Sequence, residues 1–142
     1  MPSFTQRIQN LQQIGPVIEV LITPSVPFMQ MMGINPTNIR SVRVLAMIDT
    51  GATGTVISAG LAAQLGINPV GTTLINTPSH TNVNCHQFDV QLVFPNNVNI
   101  SSIVVTEASL QGQHIQCLIG RDVLRHGVLI YTGYDNSFTL SF

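Results

Sequence analysis

Lysine is absent from this chain of 142 residues, and only 8% of the residues are charged. Five arginines against six acidic residues leave a net charge of -1, too little for the basic footprint that DNA, RNA or an acidic lipid surface selects. Cysteine is almost as scarce. Cys85 and Cys117 stand far apart, so there is no disulfide framework, and a reducing, cytoplasmic setting is the expectation. No apolar run approaches the ~20 residues of a membrane span, and the first residues lack the basic start and apolar middle of a secretion signal. A soluble protein with neither a nucleic-acid nor a membrane partner is expected. Internal repeats and low-complexity segments are also missing.

Polarity comes instead from eleven asparagines, eleven glutamines and many serines and threonines, while 44% of the residues are hydrophobic. The length suits one domain with a real core and is too short for two. So few charges leave a monomer's surface thinly covered, which fits an oligomer that hides part of it.

Most of the chain reads as strand. Val- and Ile-rich or alternating segments run over 16–22, 41–48, 55–58, 72–75, 83–94, 100–106 and 115–119. A last hairpin pairs 128–131 with 137–142 across Gly133-Tyr134-Asp135-Asn136. A short helix is expected over 59–65, closed by Gly66, and one helical turn over 123–126. Residues 23–37 read as an irregular loop carrying three methionines, and 1–14 as a polar lead before a single domain over 15–142.

One segment combines core and chemistry. Val44-Leu45-Ala46-Met47-Ile48 is an apolar strand, and it ends in Asp49-Thr50-Gly51-Ala52, a carboxylate, a hydroxyl and a glycine in one tight turn. An aspartate beside buried surface must gather donors or take up a proton. Asp49 could merely cap a β-turn through local N–H groups. Downstream, Cys117-Leu118-Ile119-Gly120-Arg121-Asp122-Val123-Leu124 gives a strand, a glycine and a short helical segment.

Together, and in this order, the two segments resemble the active-site turn and the downstream strand-glycine-helix of the retropepsin-like aspartic peptidases, the family that includes the retroviral proteases. The resemblance runs over roughly 15–142. It implies an all-β, retropepsin-like acid protease fold: a single small barrel-like domain with one or two short helices, assembled as a homodimer. It also implies peptide hydrolysis without metal or other cofactor. In such chemistry two carboxyl groups share one proton, and the aspartic-protease dyad is the standard example of that effect. With a single Asp-Thr-Gly, the second carboxylate has to be Asp49 of another copy across a two-fold axis.

On this resemblance the catalytic turn is Asp49, Thr50 and Gly51, with the Thr50 hydroxyl reaching the partner's backbone and Gly51 allowing close approach. Substrate, a peptide or protein, would meet Ala52, Thr53 and Leu118, and a flap formed by Ile75, Thr77, Pro78 and Ser79 would close over it. Members of viral type commonly carry an aspartate where this chain has Thr53. Arg121 therefore lacks that carboxylate, and Asp122 is the local candidate to pair with it. A non-catalytic peptide-binding or dimerisation domain of the same fold is the runner-up.

Other constellations are weaker. Gly51-Ala52-Thr53-Gly54 lacks the G-x-G-x-x-G spacing of a dinucleotide site. Cys85, His86, His114 and Cys117 could be offered as a zinc set, but Cys85 and His86 are adjacent on a strand and point to opposite faces. Packed thiols and surface imidazoles are the simpler reading. No Ser-His-Asp or Cys-His nucleophile pattern is present.

Overall fold

A computed structural model describes residues 2–76 and 82–142. Three of the flap positions, Thr77, Pro78 and Ser79, lie outside the described residues. Among the described residues there are ten strands and four short α-helices. They are β1 Ser3–Arg7, α1 Leu11–Ile14, β2 Val17–Pro24, α2 Val26–Met31, β3 Val42–Ile48, β4 Val56–Ser58, α3 Leu61–Leu65, β5 Gly71–Ile75, β6 Val83–Val93, β7 Asn99–Ala108, β8 Cys117–Ile119, α4 Arg121–Leu124, β9 Val128–Thr132 and β10 Ser137–Ser141.

Six strands close on themselves. The larger sheet runs β2-β3-β8-β4-β7-β6-β5, and β2 also pairs with β6, so the ring β2-β3-β8-β4-β7-β6 is a barrel with β5 attached outside it. Strand β6 makes closure possible because it is long. Its end pairs with β2 from Pro24↔Val90 to Leu21↔Val93, while its beginning pairs with β5 from Gly71↔Gln87 to Ile75↔Val83. A register shift against β7 between Val90 and Leu92 bends the strand where it passes from hairpin to barrel. Alternation supplies the interior: Val44, Ala46 and Ile48 of β3 are buried, as are Ile18, Val20 and Ile22 of β2 and Cys117 and Ile119 of β8.

Two segments are more ordered than the sequence suggests. The stretch set apart as a polar lead carries β1 and α1, and its Phe4 and Leu11 are in the core. The loop expected over 23–37 carries α2, capped by Ser25, whose Oγ accepts the Phe28 N–H at 3.3 Å. The ends of the chain meet in a second sheet, β1-β10-β9, tied to the barrel by Phe94, which stacks on Phe4 at 6.4 Å and tilts against Phe142 at 5.7 Å. No helix among the described residues is long and apolar enough to cross a membrane.

The Cys117 thiol is fully buried in the barrel, and that burial, helped by the nearby charge of Asp122, pushes its pKa up to about 12. An unfolded thiol ionises from about 8.5 upward. Between these limits the native state holds the proton and the unfolded state has released it, so stability is retained at lower pH and falls as pH rises. The wild type is expected to lose up to about 1.4 kcal/mol per pH unit from this group over that window. Urea midpoints at pH 8 and pH 11 check it, because Cys117→Ala, though less stable at pH 8, should lose less on going to pH 11.

Candidate active site

The turn that carries Asp49 is an arch. Strand β8 lies between β3 and β4, parallel to the first with Ile48↔Ile119 and antiparallel to the second with Val56↔Leu118. Residues 49–55 must therefore cross over the end of β8 to get from one neighbour to the other. Gly120, the next residue of that strand, passes beneath the arch.

Backbone hydrogen bonds lace the two segments together. Asp49 N–H donates to the Ile119 carbonyl at 2.8 Å, Arg121 N–H to the Ala52 carbonyl at 2.9 Å and Asp122 N–H to the Thr53 carbonyl at 3.2 Å. The approach is so close that a Cβ at Gly120 would sit 2.6 Å from both the carbon and the oxygen of the Gly54 carbonyl. Backbone cannot yield as a side chain can. Glycine is required here by contact, since the Gly120 φ of -92° suits any residue.

Within the arch Asp49 is half-buried, and its Oδ1 accepts the Gly51 N–H at 2.9 Å. Gly51 is also tightly placed, because a Cβ there would lie 3.1 Å from the same oxygen. Among the described residues Asp49 Oδ2 accepts no hydrogen bond, and the exposed Thr50 hydroxyl has no partner. Continued alternation along β3 turns Asp49 to the side of Met47, away from the barrel core. Met47, Leu118 and Val56 sit opposite one another on β3, β8 and β4, each half-buried, and form an apolar row beside the arch.

Arg121 finds partners without an aspartate at 53. Its Nη1 donates to the Thr50 carbonyl at 2.7 Å and its Nη2 to the Thr53 hydroxyl at 3.2 Å. The guanidinium thus spans the outside of the arch from one leg to the other. Asp122 does not pair with it. The Asp122 carboxylate instead accepts from Thr55, through its N–H at 2.9 Å and its hydroxyl at 2.7 Å, and from the Val123 N–H at 2.9 Å. The Thr55 hydroxyl, almost wholly buried, in turn accepts the Gly120 N–H at 3.1 Å. A carboxylate in the first turn of α4 was the available signal for this clamp; the role of Thr55 has no local signature.

The residues singled out in the sequence fall in two places in the chain. Asp49, Thr50, Gly51, Ala52 and Thr53 form the arch with Gly120 and Arg121, and Leu118 flanks it. Ile75 is half-buried at the end of β5, outside the barrel, and is not hydrogen-bonded to the arch. The base of its hairpin is closed by Asn82 N–H donating to Asn76 Oδ1 at 2.9 Å. No group of three His, Cys, Asp or Glu side chains able to hold a metal ion is found among the described residues. Cys85 and Cys117 are buried, whereas His86 and His114 are exposed.

Comparison with known proteins speaks to the family and the fold. Residues 36–126 match the family described as "gag-polyprotein putative aspartyl protease". The crystal structure of a retropepsin-like aspartic protease from Rickettsia conorii is similar, with a TM-score of 0.54 at 15% identity over 99% of this chain and 95% of that one. EIAV protease complexed with the inhibitor HBY-793 is similar with a TM-score of 0.54 at 19% identity, over 84% of this chain and 92% of that one. No curated protein matches the chain in sequence.

Three substitutions test the arch. Gly120→Ala must push the arch off β8, and overpacking of this kind costs about 1–3 kcal/mol. Asp122→Ala strands the Thr55 and Val123 donors and is expected to cost about 2–4 kcal/mol. Asp122→Asn, which keeps one acceptor oxygen, should cost less. Urea denaturation of the three variants measures the order.

Proposed function

The chain belongs to the gag-polyprotein aspartyl protease family and has a retropepsin-like fold, and on that premise we propose that it is an aspartic endopeptidase completed by a second copy of itself. The observation that carries the reading is the state of Asp49: held by its own loop through one oxygen, beside an apolar row, with its other oxygen and the Thr50 hydroxyl both unengaged among the described residues. One carboxylate cannot both deprotonate a water and protonate a carbonyl oxygen. Two Asp49 side chains brought together share one proton and divide these tasks.

In the complete site, the ionised member takes a proton from water as that water attacks the peptide carbonyl, and the protonated member donates to the carbonyl oxygen. The Thr50 hydroxyl bonds to the partner's backbone and fixes the distance between the two arches. Arg121 keeps the Thr50 carbonyl aimed outward, so the arch does not have to reorganise when substrate binds. Leu118 and its neighbours favour bulky apolar residues on either side of the cut bond, while Ala52 and Thr53 meet the substrate backbone. Ile75, at the end of β5, belongs to the stem of the flap that excludes water. The peptidase unit takes in β1 and α1 together with residues 15–142.

Hydrolysis of an unstructured protein substrate tests the reading. Asp49→Asn should lower the rate by at least about 10²–10⁴-fold with the protein still folded, since neutralising like charges relieves repulsion. Near-normal rates in that variant would make the carboxylate structural. Wild-type activity should follow a bell in pH, with an acidic to near-neutral optimum set by the coupled pair. A rate that climbs steadily into alkaline pH would sink the shared-proton mechanism.

A further inference from the structure

Asp89 stands in an apolar hollow on the outside of the barrel. Along β6 it alternates with Phe88 and Val90, both buried in the core, so its side chain lies on the opposite face, half-buried. Helix α2 packs against β6 and β7. The segment that joins α3 to β5 runs beside β6, with the Val70 N–H donating to the Gln87 carbonyl at 2.8 Å. Between helix and segment is a hollow of about 380 Å³, lined by Pro27, Phe28 and Met31 on one side and by Ile67, Pro69 and Val70 on the other. Asp89 is the only charged residue that lines it.

The carboxylate is held in place without being neutralised. Its Oδ1 accepts the Ser102 hydroxyl at 2.8 Å, and among the described residues Asp89 makes no ion pair. A carboxylate beside apolar walls loses hydration that an opposite charge can replace. Apolar surface also continues past the rim. Met31 is 75% exposed, Val70 is 60% exposed, and Val104, which faces Asp89 across the register with β7, is 48% exposed. Methionine at such a rim adapts its shape to what it meets. None of the lining residues belongs to the arch or to residues 117–124, so the hollow is separate from the Asp49 site.

We propose that this hollow docks another polypeptide, by taking a lysine or arginine side chain that stands between bulky apolar residues. The methylene stem lies along Phe28 and Ile67 while the cationic head meets the second Asp89 oxygen, and the apolar neighbours cover Met31, Val70 and Val104. Charge selects this occupant. A second copy of the chain has no lysine, and its Arg7, Arg43 and Arg121 are engaged by Asp135, Glu19 and the arch. A wholly apolar segment would cover the carboxylate and leave it unpaired. A small amine would fill the hollow and leave the apolar rim in water.

Titration of the isotope-labelled protein with the capped peptide acetyl-Ala-Leu-Arg-Leu-Ala-amide, followed through backbone amide shifts by NMR, tests the site. Saturable shifts are expected at Phe28, Met31, Val70 and Asp89, with a Kd of about 1 mM or below. A peptide with glutamine in place of the arginine should bind there at least about tenfold more weakly. Asp89→Asn keeps the shape of the side chain and an acceptor for Ser102, and should weaken the arginine peptide by a similar factor of about ten. Val70→Lys puts a cation at an exposed rim position and should also weaken it. The amide spectrum of each variant reports its fold. Equal binding of the two peptides, or equal binding of the arginine peptide by wild type and either variant, would overturn the proposal. So would shifts confined to residues 49–55, or no saturable shift at the four residues up to about 10 mM peptide.

Discussion

Everything about this site depends on Gly120 passing beneath the Asp49 arch. Two stretches of backbone lie in contact there with no side chain between them, and a Cβ at Gly120 would stand 2.6 Å from the Gly54 carbonyl. Close packing turns the crossing of residues 49–55 over the end of β8 into a fixed seat. Three backbone bonds, from Asp49, Arg121 and Asp122, then satisfy polar groups that would otherwise be buried without partners. The carboxylate is rigid because its support is backbone, which has few alternative conformations to explore.

A chain this poor in charge has to place each charge with care. Arg121 and Asp122 are neighbours of opposite sign, and a direct pair between them would have been the simplest outcome. They instead diverge to opposite sides of the arch. Arg121 spans the exposed side through a carbonyl and a hydroxyl, and Asp122 clamps the buried side through Thr55. The division has a physical logic: the guanidinium can keep part of its hydration, whereas the carboxylate lies near Cys117 and must collect three donors to offset its partial burial. Thr53 is sufficient at its position because its hydroxyl accepts from the guanidinium.

The strands of the barrel were legible along the sequence because most are half-buried, so burial writes itself as alternation. Residues 42–48 and 83–93 show this most clearly, and the glycine that closes α3 was equally plain. The helix α2 was hidden because its signals conflict: Pro24 and Pro27 suggest irregular chain, and Ser25 reads as a cap only once a helix follows it. The strand β1 was hidden because Ser3, Thr5 and Gln6 are polar, and only pairing with β10 gives Phe4 a core to join.

By itself the sequence determined the family and the barrel strands, since these follow from local composition and from two motifs read in order. Tertiary structure alone decided which residue holds which. The separation of Asp122 from Thr55 is 67 residues along the chain, and nothing local to either residue records that β8 will bring them together. The same holds for the β9 edge. Alternation marks Val128 and Ile130 as strand residues, but only the register across β10 and β1 shows that the sheet ends there. Periodicity is a property of one strand, whereas an edge is a property of the order in which strands are paired.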